Sequence, residues 1–382
     1  SKLAALAFGV ELLEQEVEQL CGAAFARKAE GMCRRGGSEK TSIVVGSQRM
    51  PVTRPRVRNE DGEVKLSTLE KLRSQDLLDD RIREKMLLVV SSRKYGKVID
   101  AYAESLGVSK SAASRAFKRA SQKELDSINE ADLSELCFVG LIIDGINVSG
   151  RTVVAALGIT ADLKKVPVGL KDGDTENTQV VKDLLADLQN RNFTLYCTRL
   201  LAIIDGGKAL RKALRAVWGD KVLVQRCWLH KLRNIEGYIP KKHHAALLFR
   251  MRKLMGLKNL KDAQRDLLSL RTWLVGISHD AAASLDEAGT ELLTLHALGI
   301  GGELRKSLYS TNPIESLFSV VRGKIRRVKN WNSQKSQQPL RWIASAILDH
   351  KKSGMRGLRG QIQKSQLIAA LNAEVDEIKK AA

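Results

Sequence analysis

The chain has little of what would staple, anchor or export a protein. Its five cysteines, Cys21, Cys33, Cys137, Cys197 and Cys227, are odd in number, scattered and without a C-x-x-C pair. That argues against a disulfide framework and fits a reducing compartment. No apolar run approaches the length of a spanning helix, and the N-terminal SKLAALAFGVELLEQEVEQL acquires acids too early for a signal peptide. A soluble, cytoplasmic protein is expected, with an initiator Met or a few residues missing before Ser1. Internal repeats and low-complexity tracts are absent as well. Acids are scarce beside bases: 43 Asp plus Glu against 64 Lys plus Arg, a formal net charge of +21. An excess of that size calls for a polyanionic partner, and nucleic acid is the leading candidate.

What is present is an ordinary 43% of hydrophobic residues in 382, too many residues for one core. The pattern divides the chain into six segments. Residues 1–65 read as a helix ending around Gly31, Gly36 and Gly37, then a basic hairpin or linker. In QRMPVTRPRVRNEDGEVKL, Arg54, Arg56 and Arg58 share one face of an extended strand and NEDG is the turn. Pro51 and Pro55 fit a solvated linker equally well.

Residues 66–130 read as a helical DNA-binding domain with a helix-turn-helix. In KVIDAYAESLGVSKSAASRAFKRAS, Val98, Ile99, Tyr102 and Leu106 make an apolar face and Gly107 permits the turn. Ser109 can cap a second helix that offers Lys110, Ser111, Ser114, Arg115 and Lys118 to a major groove. Residues 131–225 change character. LCFVGLIID, TVVAALGIT and KKVPVGL form an antiparallel meander, followed by a helix, the strand RLLAIID, a second helix and the strand KVLVQ. This is the element order of an RNase H-like α/β core. Residues 226–305 hold only helices and interrupt that core, residues 306–360 resume it, and residues 361–382 read as one amphipathic helix.

Two strands end in Asp-Gly, LIIDG at Asp144 and AIIDG at Asp205. In the RNase H-like arrangement they are neighbours, so their carboxylates share a small volume and repel unless a cation intervenes. Mg²⁺, a hard ion with oxygen ligands, is the natural occupant. A third carboxylate, from Glu315 in TNPIESLFSVVRGKIRRVKNW, would complete a site for two ions that clamp the oxygens of a phosphodiester. Each aspartate also fits a plain turn. Glu315 fits a capping box with Asn312 as N-cap and Pro313 first in the helix. The cap and the metal site are compatible. Arg322 lies on the same helix face as Glu315, as does Arg326; with Lys324 and Arg327 they would neutralise a DNA backbone.

Cys227 and His230 in RCWLHKLRN have metal-ligand spacing, but no second suitable pair exists for a four-ligand zinc site. A buried thiol and imidazole bracing the entrance to the helical block is the expectation. Trp228, Trp331 and Trp342 lie beside basic residues and are available to stack on an unpaired base or to fill a core.

IIDGGKALRKALRAVW, VLVQRCWLHKLRN and LYSTNPIESLFSVVRGKIRRVKNW, in that order, resemble the insertion-sequence transposases of the mutator type, as does GRTVVAALGIT. The resemblance covers residues 90 to 350. It implies an Asp-Asp-Glu transposase with an RNase H-like core and a helical insertion, Asp144, Asp205 and Glu315 being the catalytic and metal-binding triad. Cys227 and His230 stand as the family's C-x-x-H signature. Expected with it are two Mg²⁺ ions, with Mn²⁺ able to substitute, and binding to terminal inverted repeats and target DNA. Strand cleavage to a 3′-OH, strand transfer and a homodimer are expected too. An RNase H-like nuclease without strand transfer, and a non-catalytic DNA-binding regulator, are the alternatives. The tryptophan and acidic pair common in the family after the segment VPVGLKDG are missing, and the loop after the Glu315 helix is unusually basic.

Overall fold

The computed structural model describes residues 2–22, 33–45, 48–73, 76–89, 110–148, 150–173, 177–326, 328, 331 and 337–373. The chain divides into two compact units, Ser1–Lys123 with Lys324–Lys329, and Glu124–Gly323 with Asn330–Ala382.

In the first unit, helix α1 (Lys2–Cys21) is followed by strands β1 (Arg34–Val45), β2 (Gln48–Asn59) and β3 (Gly62–Val64), which form an antiparallel sheet in that order. Helix α1 stops well short of the expected residue 35. Gly22, at φ 79, donates its N–H to Glu18 O at 2.8 Å and ends it in a left-handed cap. Gly36 and Gly37 instead lie inside β1. The basic segment is a hairpin rather than a linker. Asn59↔Gly62 closes its turn, and Pro51 and Pro55 are tolerated because β3 pairs only with Val57–Asn59 of β2. Leu13, Val17, Ile43, Val52, Val57 and Leu66 fill the core between α1 and the sheet. Helices α2 (Ser67–Leu72), α3 (Asp76–Val89) and α4 (Lys110–Asn129) follow. The first helix expected for the helix-turn-helix, its turn at Gly107 and the cap at Ser109 lie outside the described residues.

The second unit is built on a mixed sheet. Strands β4 (Cys137–Val148), β5 (Arg151–Thr160) and β6 (Lys165–Asp172) form the meander. Helix α5 (Thr178–Asn190) and the two-residue strand β7 (Thr194–Leu195) lead to β8 (Leu200–Ile204), helix α6 (Lys208–Trp218) and β9 (Val222–Arg226). The sheet order is β6-β5-β4-β8-β9, with β7 also on β4; β8 lies parallel to both β4 and β9. Every residue of β8 is buried, which is why RLLAIID lacks the polar alternation of a half-exposed strand. One face of the sheet packs Leu141, Ile143, Ala202, Ile204 and Val224 against Leu184, Leu188, Leu210 and Leu214 of α5 and α6.

A helical block comes next: α7 (Trp228–Glu236), α8 (His244–Gly256), α9 (Leu260–Val275), α10 (His279–Ala288), α11 (Thr294–Ala297) and α12 (Gly302–Leu308). Most of it encloses its own core of Trp228, Ile235, Leu247, Leu254, Leu270, Leu274, Leu285 and Leu292. Helices α13 (Asn312–Ile325), α14 (Gln338–Lys352) and α15 (Lys364–Asn372) complete the unit's described elements. Helix α15 is shorter than the helix expected over 361–382, of which residues 374–382 lie outside the described residues. It is tied down where Thr198 Oγ1 donates to Leu371 O at 2.8 Å. No helix among the described residues is long and apolar enough to cross a membrane.

Candidate active site

The sheet register assembles the site. Ile143 of β4 stands opposite Ile204 of β8, and Ile204 opposite Arg226 of β9. The residue after each, Asp144, Asp205 and Cys227, therefore falls in one row across three neighbouring strands. The two aspartates reach that row differently. Asp205 follows the last residue of β8, and Gly206 turns the chain away at φ 113. A Cβ on Gly206 would run into the Arg226 guanidinium, so this glycine is required twice over. Asp144 does not end a strand as expected: β4 continues to Val148, with Asp144 opposite Ala155 and Gly145 opposite Val154. The ladder to β8 stops at Ile143, however, and that leaves the β8 side of Asp144 open.

Asp144 is 6% exposed and its Oδ1 accepts the Gly145 N–H at 2.8 Å. Burial, with help from the charge of Asp205, pushes its carboxyl up to about 6, against the pull of His230, the Gly145 N–H and Thr311. Asp205 is half-buried, and its Oδ1 accepts the Gly207 N–H at 3.1 Å.

Glu315 enters from α13. The expected capping box is displaced by one residue, because Thr311, not Asn312, holds the cap position: its carbonyl accepts the Glu315 N–H at 2.9 Å. Glu315 is then the fourth helical residue and leans back over the cap, where the Thr311 hydroxyl donates to its Oε1 at 2.9 Å. That hydroxyl is the hub of the site. His230 Nδ1 lies 3.3 Å and Cys227 Sγ 3.4 Å from it, and Cys227 Sγ accepts the Thr311 backbone N–H at 3.3 Å. Sequence reasoning passed over Thr311, although Thr is itself a favoured N-cap residue and stands directly before the Asn-Pro that marks the helix start.

Cys227 is fully buried and His230 half-buried, as the bracing role requires. Burial pushes the Cys227 thiol up, but His230 and Thr311 more than offset it and leave it below the ordinary thiol value. The Cys227 hydrogen bond, opposed by burial and aided by Asp144 and Glu315, raises His230 to about 9. His230, held toward its charged form, thus faces the acids, with Nδ1 3.8 Å from Glu315 Oε1. Among the described residues, the donor atoms of Cys227, His230 and Glu315 form the one group of three within 4.8 Å of one another; the three carboxylates do not close to that distance. Arg233 Nη2 is 3.8 Å from Glu315 Oε2. Behind the site Arg226 and Lys231, both buried, are anchored on Glu287 Oε2 at 2.8 and 2.9 Å, which joins β9 and α7 to α10.

The basic residues separate into two kinds. Arg54 donates to Glu39 at 2.6 Å and to Glu63 at 2.7 Å, and Arg56 to Glu63 at 2.5 Å, so the hairpin neutralises its own cations. Arg58 is exposed. On α4, Ser111, Ser114, Arg115 and Lys118 are exposed and Lys110 is its first residue. Arg322 and Arg326 are exposed, Lys324 is half-buried, and Arg327 lies outside the described residues. Of the tryptophans, Trp228 and Trp342 are 4% and 3% exposed, and Trp228 Nε1 donates to Leu292 O at 3.0 Å. Neither is available to a base.

The sequence pattern of a family described as Transposase, Mutator family, matches residues 3–352. The chain is 30% identical over 219 residues to the transposase for insertion sequence element IS6120 of Mycolicibacterium smegmatis, covering 56% of this chain and 66% of that protein. It is 31% identical over 185 residues to the transposase for insertion sequence element IST2 of Acidithiobacillus ferrooxidans, covering 48% of this chain and 60% of the relative. Both matches fall short of two thirds of the relative's length. The transposase for insertion sequence element IS256 in transposon Tn4001 of Staphylococcus aureus is 26% identical over 367 residues, covering 89% of this chain and 87% of that protein.

Proposed function

This chain belongs to the Mutator family of transposases, and from that premise we propose that it cuts and joins DNA at Asp144, Asp205 and Glu315. The observation that carries the reading is the register row: two carboxylates on adjacent strands, one buried and held above its ordinary range, with a third carboxylate, Glu315, held by Thr311 and His230 next to Cys227 of the same row. The sheet, three antiparallel strands then two parallel ones with helices between, supports an RNase H-like core. The helical block between β9 and α13 supports the reading of an insertion in that core.

Divalent metal fits the donor set. Asp144, Asp205 and Glu315 offer hard oxygen donors, the donor type that Mg²⁺ takes. These three would hold Mg²⁺, with Mn²⁺ an alternative, and the bound ions would supply Lewis-acid polarisation of the scissile phosphodiester and a more acidic attacking water. The chain's own work is positional. Thr311 keeps the Glu315 carboxylate turned toward His230, and His230, held toward its charged form, partly balances the acids. Arg233, beside Glu315, is free at its exposed end to meet a phosphate. Water attack leaves a 3′-OH on the element's end, and that hydroxyl then attacks a target phosphodiester in the same site. No covalent bond to the protein is formed.

Helix α4, with Ser111, Ser114, Arg115 and Lys118 exposed, is the proposed recognition helix for terminal inverted repeats, and Arg322, Lys324 and Arg326, which follow Glu315 in the chain, are the proposed phosphate contacts. Arg58 is the hairpin's free contribution, and a homodimer holds the two ends. The test is a labelled duplex carrying the element's own end, incubated with Mg²⁺ and wild-type or Glu315→Gln protein. Wild type is expected to nick and join and the variant to bind without nicking. Nicking by the variant would remove Glu315 from the site, and nicking by wild type without joining would make the protein a nuclease.

A further inference from the structure

Helix α7 carries more than the C-x-x-H signature. His230 faces Glu315, and Arg233, Asn234 and Gly237, three, four and seven residues on, continue that side of the helix into an open pocket. The pocket is about 650 Å³ and lies between the end of α7 and the start of α10. This is within the range of roughly 300–1,000 Å³ typical of small-ligand sites. Tyr238 lines it and is 53% exposed, an amphipathic ring without the burial that would explain it. Charge within the pocket is nearly balanced. Lys231 is consumed by Glu287 at 2.9 Å and by Ser284 O at 2.7 Å, and Asp280 adds an acid. The side chain that projects a net cation is Arg233, 57% exposed, which also lies against Glu315. The pocket and the candidate catalytic carboxylate are therefore one arginine apart.

We infer that this pocket takes one unpaired nucleotide of a DNA strand, its base against Tyr238 and within reach of Asn234, its phosphate on Arg233. A polar hollow whose charges balance suits a base, and the exposed Arg233 suits the phosphate. The inference rests on the proposed DNA chemistry for its biological sense, since the pocket and the candidate carboxylate Glu315 share Arg233. Of the three tryptophans expected to stack on a base or fill a core, Trp228 and Trp342 are buried and Trp331 is half-buried, whereas Tyr238 is exposed on the pocket wall.

The experiment measures anisotropy of a labelled ten-nucleotide single strand and of a blunt duplex on the full chain, without divalent ions. Tyr238→Ala should weaken single-strand binding about fivefold or more and leave duplex binding within twofold, with Tyr238→Phe close to wild type. Ala283→Trp, which fills the pocket from α10, should show the same selective loss. Unchanged single-strand binding in both variants, or equal loss on strand and duplex, overturns the inference. A chain that binds the strand through Tyr238 yet never nicks its element's end refutes the proposed activity and leaves the pocket standing. A nicking chain insensitive at Tyr238 and Ala283 refutes the pocket alone.

Discussion

Thr311→Val removes one oxygen from the centre of the site and keeps the shape. The hydroxyl is fully buried, donates to Glu315 at 2.9 Å, and lies 3.3 Å from His230 Nδ1 and 3.4 Å from Cys227 Sγ. A hydrogen bond to a charged group contributes about 1.5–3 kcal/mol. Glu315 is 26% exposed, so water can replace part of it, and a loss of about 1–2 kcal/mol in folding stability is expected. The larger effect falls on chemistry. With its acceptor bond gone, the Glu315 carboxylate is free to rotate, and misplacing one group by about 1 Å costs on the order of 100-fold. Single-turnover nicking in Mg²⁺ should fall about 10- to 100-fold, while affinity for the duplex end stays within a factor of about two. Thr311→Ser, which keeps the hydroxyl, should recover most of the rate. Urea unfolding and nicking, measured on the same preparations, separate the two effects. A valine variant that loses stability but nicks at the wild-type rate would refute the idea that Thr311 positions Glu315.

Other outcomes follow from the same geometry. The Asp144 carboxyl is raised from 3.8 to about 6 in the folded chain, so the folded state binds the extra proton and metal-free stability falls as pH rises through that window. Asp144→Asn should abolish nicking yet stabilise the chelator-treated protein at pH 8 by up to about 2–3 kcal/mol in chemical denaturation. Glu287 behaves in the opposite sense: Arg226 first, then Lys231, hold it down to about 2 against burial, so its contribution is complete above pH 4.5 and is lost as pH falls toward 2. Glu287→Gln should weaken the protein by about 1–2 kcal/mol at pH 7 and flatten the acid limb of its stability profile. Gly206→Ala should cost about 1–3 kcal/mol from backbone strain alone and reduce nicking further by moving Arg226 or Asp205, read by thermal melts and the duplex assay.

Local information carried far in this chain. The buried runs LIID and AIID, the meander and the helices α5 and α6 were legible because their apolar spacing is set by the neighbours they pack against. The helical block was legible for the same reason, since its residues repeat at helical intervals around a core of their own. Glu315 was legible as a residue fixed near a helix start, because Asn-Pro marks that start regardless of what lies nearby.

The sequence did less well where one residue of offset or a distant partner decides the outcome. A left-handed cap at Gly22 ended α1 early, and the cap moved from Asn312 to Thr311. A glycine after an aspartate turned the chain at Gly206 but not at Gly145, because β5 goes on pairing with β4 past the point where β8 stops. Arg54 and Arg56 looked free for phosphate until β1 and β3 brought Glu39 and Glu63 across the strands to them. Composition and periodicity thus determined by themselves that the chain is basic, multi-unit and built of these elements, since those properties depend on each residue and its near neighbours. Only the tertiary structure decided that Asp144, Asp205 and Cys227 form one row and that Thr311 joins Glu315 to His230. Those contacts span about 20 to 90 residues of chain, and sheet register, which no local spacing encodes, is what closes the row.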